Sequence, residues 1–154
     1  YFVCTNGQRD LCCARYGLRT FERLRKVVGS RVWQTTHLGG HRFAPNVLAL
    51  PQGILYGRVD ADEVDAFVGT IESGDVSRPH VRGRSAFPPE AQFAEMQVAG
   101  RVQALLGFRD DRVRFQTNLG EEEIQVRSAT IPVQVVASCG DAESKDVYPI
   151  SRTG

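Results

Sequence analysis

Apolar positions along the chain recur with two periods, one helical and one of strands. Residues 1–5 form a short apolar run closed by the turn pair Asn6-Gly7, the pattern of a buried strand. Residues 8–13 read as a loop. Leu18, Phe21, Leu24 and Val28 then fall on one helical face, with Arg19, Glu22, Arg23 and Arg25 opposite, so residues 15–28 predict an amphipathic helix closed by Gly29. Residues 31–36 are β-branched and aromatic and predict a strand with Trp33 in the core. Residues 46–50 and 54–59 flank Pro51-Gln52-Gly53 and predict a hairpin. Asp60 and Glu63 have capping-box spacing ahead of a second helix, whose stripe is Val64, Phe67, Val68 and Ile71 and whose end is Gly74.

The pattern is less regular downstream. Residues 75–87 are polar and basic and read as a connecting loop. Pro88-Pro89 opens a helix that the spacing carries through Phe93, Met96, Val98, Val102, Leu105 and Leu106 to Gly107. Residues 112–117, 122–127 and 131–138 alternate as strands do, with a turn at Asn118-Leu119-Gly120, and residues 140–154 read as a loose polar tail. Strand, helix, strand, loop, hairpin, helix predicts an α/β fold, a mixed sheet flanked by helices in the order of a thioredoxin-like domain. The expected division is a core over residues 1–74 and a C-terminal extension of loop, helix and strands over 75–154, packed on the same domain.

Composition narrows the function classes. The 154 residues suffice for one domain, and 42% hydrophobic with 24% charged residues is ordinary for a globular chain. A net charge of +1 gives no drive toward nucleic acid or a membrane surface. No apolar run nears the roughly 20 residues that span a bilayer. The chain opens inside a strand without Met, which suggests that sequence precedes it in the natural protein.

Four cysteines are too few for a disulfide scaffold, and vicinal Cys12 and Cys13 are badly placed to bridge each other. Three of the four fall within residues 4–13, which fits metal ligation in a reducing compartment such as the cytoplasm; Cys139 reads as a buried free thiol. Two of the three histidines lie in Thr36-His37-Leu38-Gly39-Gly40-His41-Arg42. The glycines permit the sharp bend that puts both rings on one side. Two thiolates from Cys4, Cys12 and Cys13, with the imidazoles of His37 and His41, suit zinc, iron or an iron–sulfur centre. His80 reads as an ordinary loop histidine.

Cys4-Thr-Asn-Gly-Gln-Arg-Asp-Leu-Cys-Cys13, followed by His37-Leu-Gly-Gly-His-Arg-Phe-Ala-Pro-Asn46, resembles the sucrase/ferredoxin-like family. The family pattern is C-x-H/N-G-x-R-D, a Cys nine positions after the first, then H-x-G-G-H-[KR]-[FY]-A. The resemblance runs from about Tyr1 to Phe67, and more weakly through Arg82-Gly83-Arg84 and the helix beyond. It implies a thioredoxin-like ferredoxin with a non-Rieske [2Fe-2S] cluster. The implied ligands are Cys4 and Cys13 on the inner iron and His37 and His41 on the outer one. Cys12 occupies a position that varies in the family, so it is not expected to ligate. Arg9, Gly39, Gly40 and Arg42 adjoin the ligands; either arginine could stabilise a reduced cluster or dock an acidic redox partner.

Two thiolates and two neutral imidazoles would leave such a site neutral when oxidised and singly negative when reduced. Four thiolates would make it doubly and triply negative, so the potential is expected well above the roughly −400 mV of plant-type ferredoxins. The second ring nitrogens of the histidines carry titratable protons, so proton-coupled one-electron transfer to an unidentified redox partner is the expected activity, without catalysis by the chain itself. A structural Cys2His2 zinc module is the alternative, although its cysteines would be spaced more widely than in zinc fingers. A redox or pH sensor would use the same ligands. A thioredoxin-type oxidoreductase would need C-x-x-C, which is lacking.

Overall fold

Why the first helix begins where it does decides where the cysteines stand. In a computed structural model, which describes residues 1–8, 10–136, 138 and 143–153, helix α1 spans Leu11–Val28. It starts four residues before the predicted point, because Asp10 is its N-cap and accepts a 2.8 Å hydrogen bond from the Cys12 backbone N–H. Residues 11–13 are therefore helix and not loop, and Cys12 and Cys13 ride on its first turn. The buried stripe also differs from the predicted one: it is Cys13, Gly17, Thr20, Leu24 and Val28, while Leu18 is exposed. Small residues let the helix lie close to its neighbours, and buried Thr20 satisfies its hydroxyl on the Val59 carbonyl at 2.8 Å.

The chain divides into two compact units. The first holds Tyr1–Arg82 and Val136–Lys145. Its strands β1 (Phe2–Cys4), β2 (Trp33–Thr35), β3 (Asn46–Ala49), β4 (Ile54–Gly57) and the beginning of β5 (Val81–Arg84) form one sheet in the order β2-β1-β3-β4-β5. β1 and β2 run parallel, and β1–β3 and β3–β4 antiparallel, which makes the sheet mixed. Its core joins Val3, Val47, Ala49, Ile54 and Tyr56 of the sheet with Leu24 and Val28 of α1 and with Val64, Phe67, Val68 and Ile71 of α2 (Val64–Glu72). The predicted stripe of α2 and its end near Gly74 match. Its start is different: Asp60 caps a 3-10 turn (Ala61–Glu63) through the Asp62 N–H, and Glu63 does not return the capping-box bond. β5 falls inside the segment read as loop. Trp33 is exposed and stacked on Phe2, because β2 is the edge strand of the sheet.

The second unit holds Gly83–Val135 and Asp146–Gly154. α3 (Pro89–Glu95) packs on an antiparallel sheet ordered β11-β8-β7-β6, with β6 at Val102–Arg109, β7 at Arg112–Thr117, β8 at Gly120–Ser128 and β11 at Ile150–Arg152. Its core is Ala91, Ala94, Val98, Val102, Val113, Phe115, Ile124 and Val126. The helix expected from Pro88 to Gly107 stops at Glu95, and from Val102 the chain is β6. The break lies at Ala99-Gly100, whose backbone N–H groups both donate to the Glu122 carboxylate, at 2.9 and 2.8 Å. Gly100 also approaches Thr117 so closely that a Cβ there would stand 2.4 Å from Thr117 Oγ1. β9 (Val133–Val136) and β10 (Ser144–Val147) pair with each other, and β10 and β11 occupy the stretch read as a tail. The expectation for Cys139, and any part for Arg9, fall outside the described residues. No described helix is long and apolar enough to cross a membrane.

Candidate metal centre

Two thiols enter the site from different elements. Cys4 ends β1, and its register partner across the parallel ladder is Thr35. Its thiol points to the Thr36 carbonyl at 3.9 Å, next to His37. Cys13 lies on the first turn of α1. Gly17, one helical turn further along, allows the approach: a Cβ at that position would fall 2.2 Å from the Cys4 carbonyl oxygen. Both thiols are buried, at 1% and 0% exposure, while His37 is exposed and His41 half-buried. Burial pushes the Cys13 thiol up to about 12, and the neighbouring Cys4 and then Asp10 add to the effect. Cys13 therefore stays protonated near neutrality unless a cation takes the proton's place.

The histidines come from a loop held at several points. Gly39 and Gly40 both lie at positive φ, +76° and +63°, which a side chain would disfavour. A 3-10 turn over His41–Phe43 follows, with Phe43 N–H on the Gly40 carbonyl and Ala44 N–H on the His41 carbonyl, both at 2.9 Å. Asn46 Nδ2 donates to the Gly40 carbonyl at 3.2 Å. Arg82 Nη1 donates to the Gly39 carbonyl and to Asn46 Oδ1, both at 3.1 Å. The two imidazoles lie 4.8 Å apart between centroids, tilted by 36°, and His41 Nδ1 is 3.4 Å from Cys13 Sγ.

Around the loop the charge is positive. The guanidinium carbons of Arg42, Arg82 and Arg58 lie 4.6, 4.8 and 5.7 Å from the centre of the Phe43 ring. Burial, and secondly Arg42, lower the Arg82 guanidinium from its ordinary value.

The structure thus links the four in pairs, Cys13 with Cys4 and with His41, and His41 with His37, the thiols buried and the imidazoles more open. Cys12 is not a free thiol, and Asp10 serves as a helix cap. Gly39 and Gly40 make the bend, and Arg42 flanks His41. His80 is engaged elsewhere: Ser77 Oγ lies 2.8 Å from its Nδ1, Glu63 Oε2 3.3 Å from its Nε2, and the Phe67 ring meets it edge-on. The sequence reading missed Gly17, Asn46 and Arg82. Asn46 and Arg82 had left a signal, as the last residue of the His37–Asn46 stretch and the first of the Arg-Gly-Arg resemblance; Gly17 had left none. Among the described residues, no three His, Cys, Asp or Glu donors close on a single metal position. As chemistry the set fits a soft or borderline centre, with two thiols, two imidazoles and no carboxylate ligand.

Three yeast proteins called "Altered inheritance of mitochondria protein 32" are similar over 92 residues: 35% identical in Meyerozyma guilliermondii, 30% in Debaryomyces hansenii and 32% in Clavispora lusitaniae. The matches cover 53–54% of this chain and 33–34% of those proteins, so the chain spans about a third of the length of the curated relatives it matches. A thioredoxin-like [2Fe-2S] ferredoxin from Aquifex aeolicus superposes with a TM-score of 0.49 at 21% identity, over 57% of this chain and 92% of that one. The sucrase/ferredoxin-like profile matches residues 1–83, more than half of the chain, and takes in all four donors; the chain belongs to that family.

Proposed function

We propose that this chain is a one-electron carrier whose [2Fe-2S] cluster is held by Cys4, Cys13, His37 and His41. The observation that carries the reading is the division of the donors, a buried thiol pair against an open imidazole pair, in a member of this family. Bound there, the cluster would supply a reversible one-electron site. The chain's own residues do the rest. Burial of Cys4 and Cys13 keeps water from the thiolate side. His41 turns Nδ1 inward, which leaves Nε2 to hold or release a proton. An imidazole that ligates through one ring nitrogen keeps the other for a proton, so electron uptake is coupled to a proton. Arg42 and Arg58 give the open side a positive rim suited to an acidic redox partner.

One observation favours a second reading. The 3.4 Å between Cys13 Sγ and His41 Nδ1 is also about the spacing that two ligands of one tetrahedral zinc take, from bonds of about 2.3 and 2.0 Å.

Absorption and EPR spectra of protein purified without oxygen separate the two, with His37→Cys and His41→Cys alongside. Visible bands, and a reduced-state signal whose average g lies below the all-thiolate value and moves toward it in both variants, are expected. A colourless protein with one zinc per chain would overturn the electron-carrier reading in favour of zinc.

A further inference from the structure

Arg82 is a half-buried cation whose hydrogen-bond partners are neutral. Such a guanidinium ordinarily faces a carboxylate. Here its Nη1 bonds the Gly39 carbonyl and Asn46 Oδ1, and among the described residues no carboxylate is paired with it. The fit is close on every side. A Cβ on Gly40 would stand 2.3 Å from Arg82 Nη2, and one on Gly57 would stand 2.9 Å from Arg82 Cδ. The guanidinium also covers the Phe43 ring at 4.8 Å. Desolvating this charge is costly, and the oxygens that offset the cost belong to the turn between the two histidines and to Asn46, which in turn holds the Gly40 carbonyl.

We propose that Arg82 is the positioning residue of the histidine pair: it pins the Gly39-Gly40 turn from which His37 and His41 project, and it sets a permanent positive charge behind them. A Gly-Gly turn loses more backbone freedom on ordering than any other pair, so the imidazoles need an external clamp to be held in one arrangement. Arginine can be that clamp because Nη1 donates to both acceptors while the flat guanidinium packs against Gly40 and Phe43, which fixes its position. A lysine keeps the charge but has no planar face to hold it there. The fixed charge favours whichever state of the site is more negative, the reduced one. This second part rests on the electron-carrier reading; the clamp does not.

Two variants separate clamp from charge. In metal-free full-length chain, amide hydrogen exchange at Phe43 and Ala44 reports the turn directly, since their N–H groups bond the Gly40 and His41 carbonyls. Exchange at least tenfold faster in both Arg82→Lys and Arg82→Gln, with the protection of Leu24 and Val28 in α1 retained, is expected. Exchange within twofold of the unaltered chain in Arg82→Lys would overturn the clamp, and the milder variant decides if Arg82→Gln does not fold. In loaded protein, the midpoint potential should be lower in Arg82→Gln than in Arg82→Lys; equal potentials would overturn the role of the charge.

Discussion

Gly17 carries no donor atom, yet the thiol pair depends on it. Its missing side chain is what lets α1 rest against the Cys4 carbonyl, 2.2 Å from where a Cβ would be. Gly17→Ala must push helix and strand apart, which costs on the order of 1–3 kcal/mol as overpacking. Urea unfolding of the metal-free protein measures that loss, and visible absorbance of the loaded protein should fall with it. A change below about 0.5 kcal/mol would mean that the close approach is dispensable. The four proposed donors are legible in the sequence because each is a reactive side chain in a recurring spacing. Gly17, Asn46 and Arg82 are not, because their roles depend on distances across the fold that no local pattern records. The imidazole protons give a prediction at the same scale. The midpoint potential should fall as pH rises, by up to roughly 59 mV per unit for one proton and one electron. A potential that stays flat between about pH 6 and pH 10 would remove proton coupling from the account.

Among the elements, α2 was readable from its stripe and α1 only in part. The periodicity of α1 is obscured because its buried face runs through Cys13, Gly17 and Thr20, none of which counts as strongly apolar. Its true start rests on one capping side chain. The false long helix after Pro88 has a different cause. Val98, Val102 and Leu105 fit helical spacing, but Glu122, more than twenty residues away, takes the backbone N–H groups of Ala99 and Gly100. Those two bonds hold the Glu122 carboxyl below its usual value near 4.5, with burial opposing weakly. The sign follows: the stabilisation is present above pH 4.5 and is lost as the pH drops through the lowered value. The protection factors of the Ala99 and Gly100 amides, with the intrinsic pH dependence of exchange divided out, should fall on acidification before those in α1. Glu122→Gln should weaken the unit by about 1 kcal/mol at neutral pH and remove the acid dependence.

For the molecule as a whole, a net charge of +1 conceals an uneven surface, because Arg42 and Arg58 both lie over the Phe43 ring of the histidine loop without carboxylate partners among the described residues. Exposed charges of this kind act over about 10 Å at 0.1 M salt. Oxidation of the loaded protein by ferricyanide, an anion, should therefore slow as salt is added. The double change Arg42→Glu with Arg58→Glu should reverse that dependence, and a rate indifferent to both salt and substitution would deny the rim any steering role. The family match ends at residue 83, next to the boundary after Arg82 where the first stretch of the first unit closes. The mixed sheet and its helices follow from local patterns within that stretch. The second unit departs from its local pattern more often, because its strands are defined by partners far along the chain.

The first unit is not continuous: Val136–Lys145 returns to it after the excursion through the second. Within that returning piece the Ser138 hydroxyl donates to the carboxylate of Asp10, the residue that caps the helix bearing Cys13. The two lie 128 residues apart. At a synthesis rate of about 5–20 residues per second, roughly 6 to 26 seconds separate their translation. During that interval the cysteine-bearing end of α1 exists on the ribosome without the Ser138 bond to its capping residue, so a growing chain completes this corner late. Stalling translation just before Ser138 would leave it in an exposed, more readily cleaved state.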